Sequence, residues 1–462
     1  MMQSVVAGSG VPEASLMSLG CAKNLVDSEM MVSQLRSLGF EMSPILDRAV
    51  IIVVNTCGFL ESAVEESIQA VLEAASYKEK GMCGCLVVAG CMVQRYGKKL
   101  LPLMPEVDLF LGTSHFHYLE DAILAWQKDG EKRLWIGPPR HLFDSNAQRG
   151  REMDSPSAYL KIAEGCSNRC SFCLIPRLRG PCRSRTVEDV VKEAVQLAAE
   201  GVREINLIAQ DTTSFGLDRG DGNGLISLLE ALETGTAIEW IRLLYCNPDR
   251  ITDGLLRSMA ESRRITPYLD IPFQHCVPKV LEAMGRRGSS CHAENVLENI
   301  RSHLPHAALR TTLMVGFPGE TESDFKELVH FVEREEFEHL GVFTFSSEVG
   351  SRAAGFPEQV DREVAEERRE IIMEIQRGIS RKKLMAKVGR ILPVLVEGYH
   401  PETEMLLCGR LPSQAPEVDG LVIITEGEAE IGEILPARIT DAHDYDVEAK
   451  LIGAAERGFI SG

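Results

Sequence analysis

The sequence predicts an α/β protein in three parts: an N-terminal doubly wound parallel sheet, a central partial (β/α)6 barrel and a small C-terminal β-barrel. Three observations predict it. Apolar runs alternate with helical stretches from Ala14 to about Ile136, a second alternation repeats six times after Ser157, and beyond Gly389 only short strands between Gly/Pro turns remain. At 462 residues the chain has room for roughly three domains by the usual prior.

The first alternation places four strands at ASLMSLG, AVIIVVNTC, CLVVAGC and VDLFLGT, with helical sequence between them. The polar, unperiodic stretch from Gly137 to Ser157 reads as a linker. Six further strands follow, at AYLKIAEG, EINLIAQD, WIRLLYC, YLDIPFQH, LRTTLMVGF and HLGVFTF, each ahead of a helical pattern. Dense mixed charge at helical spacing from Asp361 to Lys387 predicts a connecting helix. The tail then offers five strands, ILPVLVEGY, EMLLCG, GLVIITEG, ILPARITDA and DYDVEAKLIG, which suit a small closed barrel. The expected boundaries are 12–136, a linker over 137–157, 158–377 and 378–455.

Composition narrows the class. Apolar residues make up 44% and charged residues 25%, and no apolar run approaches the roughly 18 residues that span a bilayer. The start carries no basic segment ahead of an apolar core, so a cytoplasmic, non-membrane protein is expected. In that compartment 13 cysteines, an odd number, read as metal ligands or buried thiols rather than disulfides. A net charge of −19 argues against a surface that grips nucleic acid throughout.

Chemistry concentrates in EGCSNRCSFCLIP, where Cys166, Cys170 and Cys173 form C-x3-C-x2-C just past the first strand of the second alternation. Three close thiolates leave one iron of a cubane cluster without a protein ligand, free to bind substrate. A zinc knuckle completed by Cys182 is the alternative. In the first domain Cys21, Cys57 and Cys91 each follow a predicted strand, and the carboxyl ends of strands in an open α/β sheet converge on one crevice. Cys83 or Cys85 could substitute for Cys91 as a donor, although Cys85 lies at a strand start and Cys83 in the loop before it. Cys182, Cys246, Cys276, Cys291 and Cys408 are taken as unligated.

The C-x3-C-x2-C motif with Phe172 before its third cysteine resembles the radical S-adenosylmethionine (SAM) superfamily over roughly Ser155 to Arg377. The resemblance implies a [4Fe-4S] cluster on Cys166, Cys170 and Cys173 whose open iron chelates SAM, with reductive cleavage giving a 5′-deoxyadenosyl radical. It implies SAM contacts from Phe172, Gln210, Gly316 and Gly319, the glycines lying in MVGFPGET. That segment also reads as a strand–helix junction with a Thr321/Asp324 capping box. Taken with SLGCAKNLVDSE, VVNTCGF, VAGCMVQR and the terminal barrel, the whole chain resembles the methylthiotransferases. This implies an auxiliary [4Fe-4S] cluster on Cys21, Cys57 and Cys91 as sulfur carrier, SAM as both methyl donor and radical source, and a TRAM-type, OB-like last domain.

Two branches of that family differ in substrate: tRNA adenosines, or an aspartate β-carbon of small-subunit ribosomal protein twelve. From Leu384 to Gly462 six Lys/Arg stand against fourteen Asp/Glu, a balance of −8 that repels phosphates and suits a basic protein. IAQDTTSFG, with Gln210-Asp211 where the tRNA branch tends to carry Gln-Asn, resembles the ribosomal-protein branch, as do YLDIPFQH and LGCAKNLVDSE. LLYCNP and the Cys182 of RGPCRSR depart from the expected pattern.

Expected substrate contacts are Arg177 or Arg179, from a loop that also holds Arg183 and Arg185, for a two-point grip on carboxylate. Asp211, Asp270, Gln274 and His275 are expected at the barrel mouth, where they would bind SAM or substrate, Asp211 being assigned to substrate, and Glu426, Glu428 and Glu430 on the docking face. The resemblance also implies an electron donor such as flavodoxin or ferredoxin. The rivals are a tRNA methylthiotransferase and a non-enzymatic iron–sulfur or RNA-binding module.

Overall fold

The computed structural model describes residues 11–151, 155–221, 224–286 and 293–453. The N-terminal sheet is parallel throughout and contains β1 (Glu13–Ser18), β2 (Glu41–Met42), β3 (Ala49–Thr56), β4 (Cys85–Gly90), β5 (Leu109–Leu111) and β6 (Arg133–Trp135) in the order β2-β1-β3-β4-β5-β6. Its helices are α1 (Ala22–Ser37), α2 (Glu61–Lys80), the short α3 (Cys91–Tyr96) and α4 (Leu100–Leu103), and α5 (Leu119–Asp129). Because both faces are covered, β3 and β4 are buried along their whole length, which is why AVIIVVNT and CLVVAG read as unbroken apolar runs. Strand order reverses between β1 and β3, so the crevice outside their carboxyl ends is the natural ligand position. The expectation of four strands falls short by two. β2 and β6, edge strands of two and three residues, are too short to carry a periodic signal.

The second sheet opens with β7 (Ser157–Lys161), followed by a small hairpin of β8 (Ala163–Glu164) and β9 (Arg183–Ser184) that encloses α6 (Ile175–Leu178). It continues through α7 (Val187–Ala199), β10 (Glu204–Ile208), α8 (Gly224–Gly235), β11 (Trp240–Leu243), α9 (Asp253–Glu261) and β12 (Ile265–Asp270). After α10 (Pro278–Ala283) and α11 (Ala293–His303) come β13 (Ala308–Val315), α12 (Glu322–Glu335) and β14 (His339–Thr344). The strands pair in chain order as β7-β10-β11-β12-β13-β14, all parallel, giving the expected six-stranded open barrel.

Period-two alternation sorts its side chains. Leu160, Leu207, Leu243 and Leu269 face the helices, whereas Tyr159, Ile208, Leu244 and Tyr268 join a core shared with α1 and Ala415 of the C-terminal part. The connecting helix α13 (Arg362–Met385) leads to β15 (Ile391–His400), β16 (Thr403–Arg410), β17 (Val422–Glu426), β18 (Ile434–Ala442) and β19 (Val447–Leu451), closed in the order β15-β16-β17-β19-β18.

A segment between β16 and β17 plugs the amino-terminal end of the open barrel. Arg242 donates to the Pro412 carbonyl at 2.7 Å, and the Tyr268 hydroxyl donates to Asp419 at 2.7 Å. Fully buried Glu204 pairs with both Arg242 and Arg410. The expected linker is likewise packed: Phe143 and Arg151 are buried, and Arg149 bridges Glu29 of α1 to Glu193 of α7. With its amino-terminal end plugged, the barrel mouth faces the N-terminal sheet across a cavity lined by both.

Candidate active site

Three adjacent strands, β1, β3 and β4, deliver Cys21, Cys57 and Cys91 to one wall of a cavity of about 550 Å³. The strand ends approach so closely that glycine is required beside them. A Cβ on Gly58 would lie 2.6 Å from the Cys91 carbonyl carbon, and Gly90, at φ +100°, has no room for one against the Thr56 carbonyl oxygen at 2.5 Å. Cys21 is exposed, but toward a cavity whose walls surround it. Burial pushes its thiol up, yet the Lys23 and Arg179 cations and the backbone N–H groups of Asn24 and Lys23 outweigh that and leave it lowered. Burial dominates at the other two: Cys57 is raised, and Cys91 is raised to about 12.

The opposite wall comes from the barrel mouth, including Asn168, Phe172, Gln210, Asp211 and Met314. The loop carrying Cys166, Cys170 and Cys173 is pinned by Cys166 N–H donating to the Gly180 carbonyl at 3.0 Å and Ser171 N–H donating to the Met284 carbonyl at 2.8 Å. Burial raises the Cys166 and Cys173 thiols; Asp211, Cys170 and Cys182 raise Cys166 further, and Cys170 and Cys166 raise Cys173 further. Among the described residues no three His, Cys, Asp or Glu side chains close around a single metal ion. Neither triad has the closed geometry of a mononuclear zinc site. Cys182 instead lies 3.5 Å from the Ser214 hydroxyl.

The other described cysteines are spread over the fold, one of them in the cavity wall. Cys85 begins β4 and Cys83 precedes it, both buried with thiols raised by burial, Cys83 to about 11. Cys246 lines the cavity as a buried, raised thiol. Cys276 and Cys408 are half-buried, and Cys291 lies outside the described residues.

The structure sorts the other expected residues. Phe172 and Gln210 reach the cavity, with Gln210 Nε2 donating to Glu164 at 2.8 Å. Gly316 does not line it: a Cβ there would stand 2.4 Å from that of Ala365, so its close approach is to the start of α13. Gly319 also lies off the cavity wall, and the Thr321/Asp324 capping box is present. Asp211 accepts from Asn168 and Arg250, each at 2.7 Å, and Gln274 joins it in the wall. Asp270 and fully buried His275 do not.

The four arginines after the core triad are all engaged. Arg177 donates to the Gly350 carbonyl, Arg183 to the Pro181, His141 and Arg179 carbonyls, and Arg185 to Asp189 and Glu193. Arg179 is buried between the triads, 3.1 Å from Glu164 and 3.0 Å from Asp27, with Asn24 as a third acceptor. Glu426, Glu428 and Glu430 are exposed on the terminal barrel, where Glu426 pairs with Lys450. The adjoining Gly432 abuts Pro156 and Arg203, which immediately precede β7 and β10, so this loop sits at the sealed end of the core.

Two features escaped sequence reasoning. Lys23, inside the quoted GCAKN, is only 6% exposed and lines the cavity, and burial pulls its ammonium down to about 8. Glu348, beyond β14, pairs with Arg95 at 2.7 Å and accepts from the Glu61 N–H at 2.7 Å, tying the barrel mouth to the N-terminal sheet. Adjacency to Cys21 was the available signal for Lys23; nothing local marked Glu348.

A cavity walled by the sheet-borne triad on one side and by Asn168 and Phe172 of the loop carrying the barrel-borne triad on the other, whose three cysteines stand behind that wall, together with a closed five-stranded barrel, defines a radical-SAM methylthiotransferase. Residues 13–112 match the family described as Uncharacterized protein family UPF0004, 160–332 the Radical SAM superfamily and 388–452 the TRAM domain. The chain is 60% identical over 442 residues to the ribosomal protein uS12 methylthiotransferase RimO of Syntrophobacter fumaroxidans, covering 96% of this chain and 99% of that one. It is 44% identical over 444 residues to its counterpart in Syntrophotalea carbinolica, covering 96% and 98%. The chain belongs to the RimO family. In fold it is similar to the radical S-adenosylmethionine methyltransferase TsrM of Kitasatospora setae, at a TM-score of 0.52 and 14% identity over 72% of this chain and 75% of that one. No helix among the described residues is long and apolar enough to cross a membrane.

Proposed function

We propose that this chain methylthiolates the β-carbon of an aspartate in ribosomal protein uS12, the protein for which its relatives are named. The observation that carries the reading is the single cavity of about 550 Å³ walled by Cys21, Cys57 and Cys91 on one side and by Phe172, Gln210 and Met314 on the other. The residues fit two iron–sulfur clusters: each triad offers three thiols, and buried Arg179 and Lys23 stand by the first to balance its charge. Cys166, Cys170 and Cys173 would hold one [4Fe-4S] cluster, and Cys21, Cys57 and Cys91 the other.

When bound, the core cluster supplies the electron that cleaves SAM to a carbon radical, the auxiliary cluster supplies sulfur, and SAM also provides the methyl group. The chain's own residues organise the space between. Phe172 and Met314 give an apolar wall that excludes water, and Asp211 with Asn168 and Arg250 fixes the barrel rim. The Arg95–Glu348 pair holds the two halves in register, which fixes the distance over which groups are exchanged. An external reductant of the flavodoxin or ferredoxin type is the proposed electron source.

The acidic terminal barrel supports a basic protein as partner over tRNA. Mass spectrometry of ribosomal proteins and of tRNA nucleosides from cells lacking the chain tests the reading. The expected result is loss of the methylthio increment from one uS12 aspartate; loss from tRNA adenosine with uS12 unchanged replaces it with the tRNA reading.

A further inference from the structure

The cavity wall carries an ammonium, that of Lys23, which among the described residues has the Cys21 thiol beside it but no carboxylate paired with it. Lys23 sits in the first turn of α1, is 94% enclosed, and lines the cavity beside Cys21. Among the described residues no carboxylate lies within ion-pairing distance of its ammonium and no acceptor hydrogen-bonds to it; its close contact is the face of Tyr245, with Nζ 2.9 Å from the ring centroid. Tyr245 holds φ +60°, a backbone conformation costly for a tyrosine, and is kept there by its N–H donating to Asp270 at 3.0 Å. Backbone strain is thus spent on placing an aromatic face against this ammonium.

Of the other charged groups of the cavity wall, Arg179 is committed to Glu164, Asp27 and Asn24, whereas Arg286 donates to the Pro272 carbonyl at 3.0 Å, leaves its buried Nε without a partner and has no carboxylate partner among the described residues. Asp211 takes Asn168 and Arg250, and Glu348 takes Arg95. A buried ammonium that no carboxylate pairs is costly to keep charged, and a carboxylate entering the cavity beside it reduces that cost.

We propose that Lys23 receives the side-chain carboxylate of the substrate aspartate and so determines that the enzyme acts on aspartate rather than on its amide. The inference rests on the aspartate substrate proposed above. It transfers the role expected of the arginine loop to a residue on the other domain. A carboxylate at Lys23 places the adjoining β-carbon within the same cavity as Cys21, between the sheet and the barrel mouth.

The test uses the anaerobically reconstituted enzyme and purified uS12 carrying Asp or Asn at the modified position, with Kd measured for each by titration. The parent is expected to prefer the Asp form. Lys23→Met should weaken binding of the Asp form by about ten- to a hundredfold, as expected for removing one member of a buried charge pair, while shifting the Asn form less than threefold. Lys23→Arg should restore part of the preference, which separates charge from packing and covers a Met variant that folds poorly. An unchanged Asp/Asn ratio in Lys23→Met overturns the proposal. So does a loss of SAM affinity with that ratio intact, which assigns the ammonium to the SAM carboxylate, or a ratio erased by Arg286→Met instead. If the parent itself neither binds nor modifies uS12, it is the proposed substrate that fails.

Discussion

Glu164 and Arg179 face each other in the gap between the two cysteine triads, both carboxylate oxygens 3.1 Å from Nη1 of the guanidinium. Glu164 stands two residues before Cys166, and Arg179 acts electrostatically on Cys91 and Cys21. Lys161 and Asp27 complete the network, so α1 of the first domain and the barrel mouth share a single buried charge cluster.

Replacing Arg179 by Met should therefore act on stability before chemistry. Glu164 and Asp27 would be left with Lys161 as their principal cation, a loss of about 3–5 kcal/mol by analogy with other broken buried pairs. Urea unfolding of the cluster-free chain measures it. The double variant Glu164→Gln/Arg179→Met should lose less than the sum of the singles; additive losses would show that the two side chains are not coupled.

The two triads are expected to load independently. Anaerobic reconstitution should give about eight irons per chain, two four-iron clusters. Changing Cys166, Cys170 and Cys173 to Ala should remove half the iron and all reductive SAM cleavage. Changing Cys21, Cys57 and Cys91 should remove the other half, abolish methylthio transfer and leave some 5′-deoxyadenosine formation. About four irons in the unaltered chain would refute the assignment of two clusters.

Acid should loosen the plug that seals the barrel. Burial alone would raise the Glu204 carboxyl, but Arg410 and Arg242 outweigh it and bring the group down to about 2. A depressed carboxylate contributes stability in full above its unfolded pKa of about 4.5 and loses it as pH falls toward the folded value. The thermal midpoint of the cluster-free chain should thus drop between about pH 4.5 and 2, by an amount corresponding to about 3 kcal/mol from this group. Glu204→Gln should be less stable at neutral pH and show a flatter acid limb; identical pH profiles would exclude Glu204 as the linked group.

Docking of uS12 is expected to depend on the acidic loop at the sealed end of the core. Because Glu426 already pairs with Lys450, Glu428→Lys/Glu430→Lys is the cleaner reversal. It should lower kcat/KM for uS12, most at low ionic strength, since exposed charges are screened over about 8 Å in physiological salt. Equal kcat/KM values for parent and variant across a salt series would place the docking face elsewhere.

The architecture was legible in the chain because it rests on local periodicity. Unbroken apolar runs announced β3 and β4, six strand–helix repeats announced the open barrel, and Gly/Pro-punctuated strands announced the closed one. The position of each cysteine in Cys21, Cys57 and Cys91 was readable for the same reason: each directly follows a strand or closes the turn after it. Edge strands of two and three residues were not, since so few residues carry no period. Tertiary structure alone decided which charges are free. Arg179 looked available in sequence and is consumed by Asp27, 152 positions away, whereas Lys23, on which the sequence reading placed no role, lines the cavity with no carboxylate paired to it among the described residues. Ion pairing depends on which side chains the fold brings within a few ångströms, and no local pattern encodes that. The plug that places Pro412 and Asp419 under Arg242 and Tyr268 was hidden for the same physical reason.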